Sequence, residues 1–257
     1  MASFSLFNLN IMHGRNRKSA VFPLRLSREV IQSNLQKIID CIREHNPDIV
    51  TLQEVDQPSV LSGSFNQFDF LDTRLHYSYK YFSPSCSIVV GGKDIFVSGN
   101  ALFSRYPLEN CESFNFDFSF PTDRMGFVVA DARLPQGQTM TIVSAHLVWL
   151  DWIRGNSRLR QLDLVQKVVA SRKNNVVIAG DMNYDFSGKE VLLRSFVNNL
   201  DLRAYDPENQ NLNTHPSWSP SKRIDWILTS KEVNFISYKT IRGRVSDHLA
   251  IFANLSV

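Results

Sequence analysis

The feature that most constrains this chain is a series of short apolar runs that end in residues able to do chemistry. Val176-Val177-Ile178-Ala179 runs through Gly180 into Asp181, Met182 and Asn183. Residues 49–53 lead to Glu54, residues 139–145 lead to His146, and residues 4–10 carry Asn8 and Asn10. Asp225 sits inside Arg223-Ile224-Asp225-Trp226-Ile227, and Ser246-Asp247-His248 stands just before a last apolar run. A carboxylate among Val, Ile and Leu is costly unless it is paired, hydrogen-bonded or bound to a metal. Strand ends on one sheet edge can bring such sequence-distant groups together on a rigid frame.

The patterning predicts the elements coarsely. Residues 4–10 alternate apolar and polar and read as a strand. Ser27 caps a helix running to about Glu44, with Ile31, Leu35, Ile38, Ile39 and Ile42 at helical spacing. Asn46-Pro47 stops it, because proline disfavours a helical residue before it. Further strands are expected at 49–53, 77–82, 100–103, 127–134, 139–145, 176–179, 224–228, 233–241 and 249–254. Helices are expected at 157–170, with Leu159, Leu162, Val165 and Val169 on one face, and at 189–197. Many strands with few helices and little regular alternation indicate α+β or a layered sheet sandwich, not a simple doubly wound sheet. Without a repeat, a low-complexity tract or a linker, residues 1–257 are expected to form one domain.

Composition narrows the function classes. The 257 residues carry 28 Lys+Arg against 25 Asp+Glu, a net charge of +3. That balance permits an anionic substrate and falls short of a strongly basic nucleic-acid coat. No apolar run reaches the ~18 residues of a spanning helix. No basic segment followed by an apolar stretch opens the chain, so no secretory signal is expected. Cys41, Cys86 and Cys111 form no CxxC pair and read as reduced, buried thiols, which gives a cytoplasmic expectation.

The residue types point to a reaction class. Glu54, Asp247 and Asn10 are oxygen ligands suited to a hard cation such as Mg²⁺. Asp181 beside Asn183 offers a proton acceptor and an amide donor. His146 and His248 can contact phosphoryl oxygens or carry protons. Together they suit hydrolysis of a phosphate ester. No HExxH or paired-His spacing supports a zinc site.

Seven stretches, taken in order, carry a family likeness. They are Phe7-Asn8-Leu9-Asn10, Leu52-Gln53-Glu54-Val55, Gly99-Asn100-Ala101-Leu102-Phe103-Ser104-Arg105-Tyr106-Pro107, Ser144-Ala145-His146-Leu147, Gly180-Asp181-Met182-Asn183, Arg223-Ile224-Asp225-Trp226-Ile227 and Ser246-Asp247-His248. With them the chain resembles the endonuclease/exonuclease/phosphatase superfamily, the deoxyribonuclease-I-like metal-dependent phosphohydrolases. The resemblance implies a four-layer αββα sandwich of two packed mixed sheets with the site at one edge. It implies that Glu54 is the principal metal ligand, with Asn10 and Asp247 nearby, and that Mg²⁺, or Mn²⁺ in its place, is the cofactor. By the same resemblance Asp181 activates water, Asn183 and His146 hold phosphoryl oxygens, and His248 binds phosphate or moves a proton, oriented by Asp225. Asn8 would hydrogen-bond within the cluster. Many relatives carry Asp where this chain has Asn10, and a neutral amide is a weaker ligand, which puts a second metal position in doubt.

Substrate choice falls to the surrounding loops. Arg15 and Arg17 belong to the acid-free stretch from His13 to Arg28, expected as a positive rim, and Trp149 and Trp152 follow His146 closely. Arg158, with Arg124 and Lys222, is a further phosphate-binding candidate. Phe114, Phe116, Phe118 and Phe120 alternate with polar residues as on one face of a half-buried strand. The substrate expected is a phosphoester: nucleic acid, a phospholipid headgroup or a small phosphodiester, with a general phosphodiesterase first. The alternatives are a phosphomonoesterase on a lipid or inositol phosphate and a catalytically inactive scaffold. No obligate protein partner is implied.

Overall fold

In a computed structural model, residues 2–16, 26–58, 63–118, 124–149, 157–186, 191–243 and 245–257 are described. The strands are β1 (Ser3–Asn10), β2 (Ile49–Asp56), β3 (Tyr79–Val90), β4 (Lys93–Ser104), β5 (Leu108–Asn115), β6 (Gly126–Arg133), β7 (Thr139–His146), β8 (Asn175–Asp181), β9 (Leu202–Ala204), β10 (Asp225–Ser230), β11 (Asn234–Ile241) and β12 (Ala250–Ser256). They form two six-stranded mixed sheets, ordered β11-β12-β1-β2-β4-β3 and β5-β6-β7-β8-β10-β9. The helices are α1 (Arg28–His45), α2 (Gln67–Leu75), α3 (Ser157–Ala170) and α4 (Leu192–Asn199).

Period-two alternation along the strands produces the layers. Phe7 and Leu9 of β1 face outward with Val50 and Leu52, onto Ile31, Leu35 and Ile38 of α1. Phe4 and Leu6 face inward with Ile49, against Val128, Ile142, Val177 and Ile227 of the other sheet. On the far side Val143, Ile178 and Trp226 pack on Leu162 and Val165 of α3 and Phe196 of α4. The order is therefore helices, sheet, sheet, helices, the αββα sandwich expected.

The inward positions change character along each strand. They pass from Phe4 and Leu6 to Asn8 and Asn10 on β1, from Ile49 to Thr51 and Gln53 on β2, from Ile142 to Ser144 and His146 on β7, and from Val177 and Ala179 to Asp181 on β8. One end of the inter-sheet layer is thus apolar and the other polar. The polar end is hydrogen-bonded within and between the sheets, although Asn8 Nδ2, Gln53 Oε1 and Asn100 Oδ1 are buried without a hydrogen-bond partner among the described residues. Asn8 Oδ1 accepts from Thr51 Oγ1 at 2.8 Å and from Gln53 Nε2 at 2.9 Å, and Gln53 Nε2 also donates to Ser144 Oγ at 3.0 Å. Asn100 Nδ2 donates to Gly126 O at 2.9 Å, again between sheets.

Ser27 accepts from Val30 N–H and starts α1 as expected, and left-handed Asn46 ends it before Pro47. Three readings are corrected. Strand β5 stops at Asn115, so Phe114 and Phe116 pack inward, whereas Phe118 leaves the sheet and is 47% exposed; Phe120 lies outside the described residues. Leu159, in the first turn of α3, is partly exposed instead of joining the buried face. Helix α4 begins at Leu192, and residues 189–190 of the expected helix lie outside the described residues.

Gly180 permits the β7–β8 pairing that leads to Asp181. It pairs with Ala145, and a Cβ there would lie 1.9 Å from Ala145 O. Gly180→Ala is expected to cost about 3 kcal/mol, as overpacking against fixed backbone does. In a chain of this size that lowers the thermal midpoint by roughly 6–12 °C. An unchanged melting curve would contradict this packing.

Candidate active site

Four strands and the loops that carry His13, His215 and Asp247-His248 deliver the acidic and imidazole groups to the polar edge. Strand β2 carries a register shift between Leu52 and Val55, and Glu54 within it has φ 58°. The bulge turns the Glu54 side chain out of the sheet and into the cleft, where it is 20% exposed. Its Oε1 accepts from Asn10 Nδ2 at 2.9 Å, and its Oε2 lies 3.0 Å from His13 Nε2. Burial pushes the Glu54 carboxyl up, but His13, His146 and Asn10 outweigh it and hold the group well below the usual carboxylate range.

Asp181, at the end of β8, is fully buried. Its Oδ1 accepts from Asn183 N–H at 2.9 Å and its Oδ2 from Asn10 Nδ2 at 3.0 Å. His146 Nε2 and His248 Nε2 each lie 3.6 Å from Oδ2. Burial, reinforced by the nearby Asp225 carboxylate, pushes its pKa up to about 6 against the pull of the two imidazoles. Asp225, on β10 directly opposite Asp181, holds His248 Nδ1 at 2.8 Å through Oδ2. For His248, burial opposes the charged form, but Asp225 and Asp181 prevail and hold its pKa well above the ordinary value.

A cavity of about 760 Å³ opens on this edge and is lined by Glu54, His146, Asp181, Asn183, Asp247 and His248, with Trp149, Arg158 and Lys222 among its other walls. Glu54, His146, Trp149 and Asp247 also line a neighbouring cavity of about 340 Å³, together with Arg15 and Arg124. Arg158 is stacked 4.2 Å over the Tyr184 ring and donates to Asn183 O at 3.2 Å. Trp149 is 57% exposed at the mouth of both cavities.

Several residues stand differently from their expected roles. Asn10 turns its amide hydrogens toward Glu54 and Asp181 and commits its oxygen to Met12 N–H at 3.0 Å, so in this arrangement it bridges two carboxylates as a donor. Asn8 is fully buried behind the cavities, bracing Gln53. Asn183 donates through Nδ2 to Leu147 O at 2.8 Å and thereby ties the β8 loop to the β7 loop. The positive rim is not formed by Arg15, which is 1% exposed and faces the smaller cavity, because the chain turns inward at Met12 and His13. Arg17 and Trp152 lie outside the described residues.

The sequence reading missed His13, Asp56 and His215. His13 bridges Glu54 to Asp56, whose Oδ1 lies 2.8 Å from His13 Nδ1. Its placement follows from positive φ at Met12 and His13, which leaves no periodic signal. Asp56 comes into reach because β2 continues past the bulge. His215 packs against the His248 ring, 4.8 Å between centroids. Among the described residues, ligating atoms of His215, Asp247 and His248 lie within 4.8 Å of one another, as do those of Asp181, Asp225 and His248.

A model of the Endonuclease/Exonuclease/phosphatase family matches residues 31–248. Comparison with curated protein sequences finds no match. Among solved structures, an endonuclease/exonuclease/phosphatase from Beutenbergia cavernae is 17% identical and superimposes with a TM-score of 0.74, over 100% of this chain and 72% of that one. The human nocturnin catalytic domain with a bound sulfate anion is 19% identical with a TM-score of 0.71, over 99% and 93%. D. rerio TDP2 complexed with a single-strand DNA product is 14% identical with a TM-score of 0.71, over 100% of both chains. At these identities the likeness is one of fold.

The Asp225–His248 contact makes a direct prediction. In Asp225→Asn the charge that most strongly raises the His248 pKa is gone, so its imidazole should titrate at lower pH in an NMR titration of the histidine ring protons. An unmoved His248 titration would contradict the assignment.

Proposed function

The chain belongs to the endonuclease/exonuclease/phosphatase family of phosphoester hydrolases, and we propose that it is a divalent-metal-dependent phosphodiesterase that directs water at phosphorus. The observation that carries this reading is the convergence of Glu54, His146, Asp181, Asp247 and His248 from both sheets on one cavity. Two proteins of this fold, nocturnin with a bound sulfate anion and TDP2 with a single-strand DNA product, hold anions, which is in keeping with an anionic ester as substrate.

The donor set fits a hard cation. Glu54 and Asp247 line both cavities, and the cluster around them is rich in carboxylate oxygens, the ligands Mg²⁺ and Mn²⁺ take. Glu54 and Asp247 would hold the ion. When bound, it supplies charge stabilisation to the phosphoryl oxygens and lowers the pKa of coordinated water.

The other residues supply the rest. Asp181, with a pKa of about 6, is largely ionised at neutral pH and close enough to neutrality to accept a proton from attacking water. Asn183 N–H and Asn10 Nδ2 fix its two oxygens. His248, held by Asp225 through Nδ1, presents Nε2–H to a phosphoryl oxygen, and His146 brings its Nε2 to the same Asp181 oxygen that His248 approaches. Such preorganised donors stabilise developing charge without reorganising.

Glu54→Gln and Asp181→Asn are each expected to lower kcat/KM on bis(p-nitrophenyl) phosphate by at least about a hundredfold, the scale of losing a metal ligand or an acid–base group. EDTA should abolish wild-type turnover and Mg²⁺ or Mn²⁺ should restore it. Equal rates with and without chelator would overturn the proposal.

A further inference from the structure

The cleft has two unlike cavities that meet at the residues proposed to hold the reacting group. Glu54, His146, Trp149 and Asp247 form their common wall. The larger cavity, about 760 Å³, is lined on its own side by Asp185, Ser221 and Lys222 together with Tyr184 and Ile224. The smaller, about 340 Å³, has Met12, Cys86, Phe96 and Met125 as the apolar part of its own wall, with Ser85, Ser98, Arg15 and Arg124 beside them. Its floor is rigid. Phe96 is buried and sets its ring edge against His13 at 5.1 Å, and His13 is held in turn by Glu54 and Asp56.

Resting on the phosphoester reading above, we infer that the smaller cavity is a receptor for a flat, ring-sized apolar substituent of the substrate. The substrate class is then an unsymmetrical phosphodiester, with a ring-bearing arm in the smaller cavity and a polar arm in the larger. Three observations lead there. The cavity volume is at the low end of small-molecule sites, which suits one ring system and not a long chain. Its apolar wall is built of sulfur and aromatic side chains, which pack well on ring faces and edges. Arg15 and Arg124 stand beside that wall, where a guanidinium can meet the ester oxygens or lie over a ring. A phosphomonoester would leave one of the two cavities unused.

The test uses phosphonates, which are not hydrolysed. In calorimetry on the full chain with Mg²⁺, phenylphosphonate should bind at least about tenfold more tightly than methylphosphonate, a lower bound for burying a ring. Met125→Trp, which fills the smaller cavity from its rim, should bring phenylphosphonate down to the affinity of methylphosphonate. Ser221→Trp, which narrows the larger cavity, should leave the ring preference in place. Wild-type kcat/KM should also be higher for bis(p-nitrophenyl) phosphate than for p-nitrophenyl phosphate. Equal affinities for the two phosphonates, a preference that survives Met125→Trp, or a preference lost in Ser221→Trp would overturn this receptor while leaving metal-dependent turnover intact. Absence of any metal-dependent turnover of either nitrophenyl ester would instead overturn the phosphoester reading itself.

Discussion

Carboxylates buried at the open edge of the sandwich must each be met by donors, and the rest of the site follows from that requirement. An uncompensated buried charge costs several kcal/mol. Here four acids have such donors, although Asp225 Oδ1 is buried without a hydrogen-bond partner among the described residues. Glu54 is met by Asn10 and His13, Asp56 by His13, Asp181 by Asn10 and the Asn183 amide, and Asp225 by His248. Asn10 is one of the links between the two sheets, because one amide group serves an acid from each. A neutral amide at this position relieves repulsion between Glu54 and Asp181 where a third carboxylate would add to it.

The support behind that edge is a graded interior. Inward-facing positions are apolar at one end of the strands and polar at the other, so the same alternation that builds the core also aims the chemistry. The Asn8–Gln53–Ser144 chain sets the spacing between sheets just behind the cleft. This is why Glu54 of β2, His146 of β7 and Asp181 of β8 reach one cavity, where the segment before β12 adds Asp247 and His248.

Much of this was legible in the sequence. Alternation in residues 4–10 and 139–145, and the apolar run into Gly180-Asp181, placed Asn10, His146 and Asp181 at strand ends, and Ser27 with Asn46-Pro47 bounded α1 closely. What stayed hidden came from local backbone geometry. The bulge at Glu54 extends β2 to Asp56, and left-handed residues at Met12 and His13 fold His13 and Arg15 inward from a stretch that reads as a basic rim. Helix α2 carries acids among its phenylalanines, and β5 is a polar edge strand, so neither shows a strong period. The Phe114–Phe120 alternation outlasts the strand because side-chain pattern does not report where sheet pairing ends.

The most direct test of the central claim is an anomalous-scattering map from crystals grown with Mn²⁺. The account predicts one ion coordinated by the Glu54 carboxylate, about 2.0–2.2 Å from its oxygen, with Asp247 in its coordination shell directly or through water. A map with no ion at Glu54, or with the ion held elsewhere by His215, Asp247 and His248 alone, would contradict it.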